Sequence, residues 1–178
     1  ERPFLAKTEA SSFAHHRRRR QVKASMDKGE RISRFVESLG NERGGTGIAA
    51  HPYYRAFFHC WNEQRYYEAH DVLEQVWLHD PIAPEDAQYF KGLIQAAGAF
   101  VHLQKQFEHP THPKHGKRLG PAVRLFRLAE KNLGPFGAER HDLNLDQFRE
   151  MLSRYRDAVE ADGTNPWRPE TAPKVNLL

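Results

Sequence analysis

Through the middle of the chain, apolar residues recur every three to four positions, the period of a helix buried on one face. From Pro52 to Asn62 they are Tyr53, Tyr54, Phe57, Phe58 and Trp61, behind a proline suited to a first helical turn. From Arg65 to His79 they are Tyr66, Ala69, Val72, Leu73 and Val76, and Asp80-Pro81 ends the run. Pro84, Glu85 and Asp86 open a long helix to about Phe107, so apolar all round that a central position is predicted. The stretch 118–133 carries Ala122, Leu125, Phe126, Ala129 and Leu133 and stops at Gly134-Pro135. Asp146 to Ala161 turns Phe148, Met151, Leu152, Tyr155 and Val159 inward. Upstream, Glu30 to Ser38 is a short amphipathic helix with Ile32, Phe35 and Val36 on one side and Gly40 as its stop. No segment alternates with the period of a strand. The expected class is all-α, a compact bundle of about five or six helices.

The ends read differently. Residues 1–29 form a basic leader, of which 1–26 lack any sustained period and are expected to be disordered. A short helix and a Gly-rich linker occupy 30–48, the helical domain 50–162, and an irregular tail 163–178. Trp167 is expected to pin that tail to the body.

The chain has 178 residues, 39% hydrophobic and 28% charged, which suits one domain with tails. The formal charge of +4 owes much to Arg17-Arg18-Arg19-Arg20; without that run the chain is near neutral. A generally basic nucleic-acid surface is therefore not expected, and only the arginine arm offers sequence-neutral phosphate contact. A lone cysteine, Cys60, excludes an internal disulfide and fits a cytoplasmic protein. It lies beside Trp61 as a small buried apolar residue. No run approaches 18 apolar residues, so no membrane span is expected, and no secretory signal is visible. The chain begins at Glu1; Met26, just before the first helix, is the expected start of translation, or the chain has been trimmed. An Arg-rich, Ser-containing leader also suits a transit peptide, against which Glu1 and Glu9 count.

The chemistry concentrates in Glu68-Ala69-His70-Asp71-Val72-Leu73-Glu74-Gln75-Val76-Trp77. His70, Glu74 and Trp77 stand four and three apart, on one helical face. A histidine and a carboxylate so spaced can share a metal ion or a proton. The long helix carries one polar line, Lys91, Gln95, Gly98 and His102, where a small residue admits a close neighbour. The short turn at 80–84 makes helix 65–79 the expected neighbour. His70 and Glu74 would then meet Gln95 and His102, an N/O set usual for zinc, iron or manganese. Glu68 and Asp71 point about 200° and about 100° away from His70 and take a flanking place.

The plainer reading makes His70–Glu74 an ordinary helix pair or a buried staple, and Trp77 packing. His109, His112 and His115 lie in a Pro-interrupted loop and read as surface first, with adventitious metal affinity. No Ser/His/Asp order, Gly-rich phosphate loop or CxxC pair is present.

Tyr66-Tyr67-Glu68-Ala69-His70-Asp71-Val72-Leu73-Glu74-Gln75-Val76-Trp77, then Gly92-Leu93-Ile94-Gln95 and His102, resembles domain-of-unknown-function family 309. That is a set of small bacterial and archaeal proteins with plastid relatives. Its hallmark H-x-x-x-E-x-x-W is intact as His70, Glu74 and Trp77, and the likeness covers about 50–133. Gln64 stands where the family's entry turn usually has glycine. The resemblance implies an all-helical fold and a metal site at the motif, and no established activity.

A helical interaction module is the competing function. Asn62 to Glu74 resembles half of a tetratricopeptide helix pair, but no 34-residue self-match supports a repeat array. One groove for a peptide or a second copy remains, and the aromatics of 52–62 suit a homodimer surface as well as a core.

Overall fold

Six α-helices make up almost all the regular structure of the computed structural model, which describes residues 27–40, 47–79 and 83–178. They are α1 (Lys28–Ser38), α2 (Pro52–Asn62), α3 (Tyr66–His79), α4 (Pro84–Glu108), α5 (Leu119–Leu133) and α6 (Leu145–Asp162). The Arg17–Arg20 run, Met26 and most of the Gly-rich linker fall outside the described residues. No described helix is long and apolar enough to cross a membrane.

Helix α4 is the central element, with Tyr89, Phe90, Leu93, Ala96, Ala97, Phe100 and Leu103 essentially inaccessible. Pro84 sits at its start, where a missing N–H costs nothing, with Glu85 and Asp86 in the first turn. Trp61 of α2 lies at the heart of the core. Its ring packs against Phe57, Tyr66, Phe100 and Phe148 at centroid distances of 4.9–5.9 Å. Tyr54, Phe57, Phe58 and Trp61 are all 3% exposed or less, so these aromatics form the core.

The α2–α3 turn passes through Gln64 at φ 60°, the left-handed region that favours glycine. Glutamine is held there by two bonds. Its side-chain amide donates to Pro169 O at 2.8 Å, and its carbonyl accepts from Gln104 Nε2 at 3.3 Å.

The polar line of α4 faces α5 rather than α3, a correction to the expected packing. Gln95 Oε1 accepts from Asn132 at 2.7 Å, and His102 Nδ1 accepts from Arg118 at 2.9 Å. The closest approach is at Gly92, where a Cβ would stand 2.6 Å from Leu133 Cγ; at Gly98 it would stand 3.2 Å from Leu125 Cδ1. Gly92→Ala gains about 1 kcal/mol of helix propensity but overpacks the α4–α5 contact by about 1–3 kcal/mol. A net loss is expected in urea denaturation, while Gly98→Ala, against a yielding side-chain end, is neutral or stabilising. Equal stability of the two variants would sink this account of the contact.

A two-residue hairpin, β1 (Glu139–Arg140) and β2 (Leu143–Asn144), joins α5 to α6, where no strand was expected. It is too short to carry an alternating pattern. His141 and Asp142 occupy its turn at φ 48° and 62°, the two left-handed positions of a tight hairpin. Asn144 then caps α6 by accepting from Gln147 N at 3.0 Å.

Candidate metal centre

Helix α3 buries Tyr66, Ala69, Val72, Leu73 and Val76, which leaves His70, Glu74 and Trp77 toward its outer face. On ideal geometry Glu74 lies about 40° from His70 and Asp71 only about 60° beyond Glu74. The three therefore fan over one arc. Each offers a ligand atom, and those atoms all lie within 4.8 Å of one another, the one such His/Asp/Glu group among the described residues. Asp71 thus belongs to the group rather than to its flank. Its angle to Glu74, not to His70, was the signal for this.

His70 Nδ1 is 3.2 Å from Asp71 Oδ1. A carboxylate can only accept, so Nδ1 carries the proton in this contact, and a metal shared with Asp71 would take that proton's place. Asp71 is 7% exposed and His70 and Glu74 about half-buried. Tyr67 stacks its ring on the imidazole at 6.5 Å and 17°.

A positive charge already stands among these carboxylates. Lys28 of α1 places Nζ 2.9 Å from Asp71 Oδ1 and 3.4 Å from Glu74 Oε2. The bond to Asp71, against the opposing effect of burial, holds the ammonium above its ordinary pKa. Nothing in the local pattern of α3 announces Lys28, which lies 46 residues before Glu74.

His102 and Gln95 are not in this group. Both are committed to α5, and His102 is engaged by Arg118. Burial and the neighbouring Arg118 and Arg124 charges depress its pKa. Glu68 pairs loosely with Arg65 at 3.5 Å, and Trp77 is 40% exposed.

The histidine loop has a structural assignment. His112 Nδ1 accepts from the backbone N–H groups of Lys114 and His115 at 3.1 and 3.2 Å, and His115 Nδ1 accepts from Arg118 Nε at 2.9 Å. A neutral imidazole accepting at Nδ1 carries its proton on Nε2, the nitrogen a metal would otherwise use. These rings build the turn into α5.

No curated protein and no solved structure matches the chain. Residues 54–110, which hold most of α2 with all of α3 and α4, match the family model described as Domain of unknown function (DUF309). Over this segment, with His70, Glu74 and Trp77 in place, the chain is similar to the DUF309 family.

Proposed function

We propose that the protein binds one divalent cation of the zinc, iron or manganese class through His70, Asp71 and Glu74. The observation that carries this is the convergence of one imidazole and two carboxylates to within 4.8 Å on the outer face of α3. Lys28 supports it: the fold already places a cation between those carboxylates, and a divalent ion would take over its electrostatic role. A metal held by three protein groups retains open positions and can bring a bound water to a pKa near 7. A cytoplasmic setting accords with a single cysteine that is fully buried, its thiol pushed up to about 12 by burial.

Lys28 also favours the competing reading, because its two ion pairs join α1 to α3 as a staple. The readings part on metal content. Protein purified without a histidine tag should carry about one metal per chain, absent from His70→Ala and Glu74→Ala. Lys28→Met, which removes the competing ammonium, should tighten zinc binding roughly tenfold, about 1.4 kcal/mol. If neither wild type nor Lys28→Met takes up metal, and Lys28→Met is merely less stable, the motif is a helix staple.

A further inference from the structure

Beside the His70–Asp71–Glu74 group, α1 and α3 enclose a cleft of about 300 Å³. That is the lower end of the size range of small-molecule sites. Ile32, Phe35 and Val72 supply apolar lining, and Tyr67, 61% exposed, presents its ring there.

The charges around the cleft do not balance. Three cations and two carboxylates line it. Asp71 is answered by Lys28 at 2.9 Å. Glu68 is answered by Arg65 at 3.5 Å, whose guanidinium also lies 4.8 Å above the Phe35 ring. The Arg31 guanidinium makes no hydrogen bond or ion pair among the described residues and is the one cation of the three left unanswered. A flat apolar surface with a single uncompensated guanidinium suits a planar monoanion. Such a guanidinium grips a carboxylate in two parallel hydrogen bonds.

We propose that this cleft binds a small aromatic carboxylate, the carboxylate on Arg31 and the ring against Ile32, Phe35 and Val72. Binding itself needs no metal. One refinement rests on the cation reading above: a divalent ion on Asp71 and Glu74 displaces the Lys28 ammonium, which becomes a second cation at the mouth of the cleft.

The test is calorimetric titration of the full chain with 2-naphthoate and with its neutral isostere 2-naphthamide, with and without zinc, in wild type, Arg31→Gln and Lys28→Met. Naphthoate should bind wild type at least tenfold more tightly than naphthamide, and Arg31→Gln, an exposed position, should remove that difference. Equal affinity for acid and amide in wild type, no loss in Arg31→Gln, or no saturable binding at millimolar ligand would each overturn the proposal. Zinc should tighten naphthoate binding in wild type and leave Lys28→Met unchanged. Arg31-dependent binding that is blind to zinc upholds the cleft and counts against the cation site alone, so the two readings fail separately.

Discussion

Trp167→Ala should lower the unfolding free energy by about 3–5 kcal/mol and release the C-terminal tail. The indole is 2% exposed, packed edge-on against Phe107 at 5.3 Å and against Tyr66 at 6.4 Å. Its Nε1 donates to the Tyr66 hydroxyl at 3.2 Å. Asn165 sets the approach, donating to Leu103 O and Gln106 Oε1 at 2.7 Å while accepting from Trp167 N at 3.0 Å. Beyond the indole the strand of chain is held through its backbone. Trp61 Nε1 donates to Pro173 O at 3.0 Å, and Asn62 both donates to Val175 O and accepts from Val175 N. Removing the indole opens a cavity beside Tyr66, the first residue of the motif helix. Trp167→Phe keeps most of the packing and loses the N–H bond, so a cost of about 1–2 kcal/mol is expected. Urea denaturation gives the energies, and hydrogen exchange at the Val175 amide reports the tail. A loss under 1 kcal/mol for the alanine variant, with Val175 still protected, would show that the tail is held without its tryptophan.

The helices were legible because each buries one stripe, and α4 because it has almost no polar face. Trp167 was legible as a single large apolar residue in a polar, Pro-rich tail. What local pattern could not supply was pairing. Gln95, Gly98 and His102 announced a close neighbour without saying which, and the short 80–84 turn pointed to α3. In the fold α3 takes the Phe100 side of α4, where Tyr66 packs on it at 5.1 Å, and α5 takes the glycine side. His102 therefore left the candidate site with that face. Lys28 entered it from a separate helix, a long-range contact that no period encodes. Gln64 looked like a departure from the family's turn, yet it holds a left-handed backbone with its side chain bonded to the tail. The hairpin stayed hidden since two-residue strands have no period to detect.

The hairpin also sets the second large effect. Asp86, in the first turn of α4, should be worth about 2–3 kcal/mol at pH 7, measured as the loss in Asp86→Asn. Its Oδ1 accepts from Arg140 Nη2 at 2.6 Å and from His141 Nε2 at 2.7 Å, with side chains only 14–24% exposed. The Arg140 guanidinium lies 4.5 Å over Phe136, and its Nε is buried without a partner. Just inside, the Tyr54 and Tyr89 hydroxyls lie 2.7 Å apart, and 3.1 and 3.4 Å from the carbonyls of His141 and Arg140; one hydroxyl donates to the other, which donates to its carbonyl. Losing the carboxylate charge weakens the hold on both hairpin residues and loosens the left-handed turn they hold. Burial pushes the Asp86 carboxyl up, but the bonds from His141 and Arg140 outweigh it, and the net shift is downward. A folded-state pKa below the unfolded value near 3.9 means the unfolded chain takes up its proton first as pH falls. The contribution is then whole above about pH 4 and is lost as pH drops through the folded pKa. Wild type should be the more stable protein at pH 7, and its advantage over Asp86→Asn should shrink below pH 4. A gap that stays constant from pH 7 to 3 would mean that shape rather than charge holds the hairpin to α4.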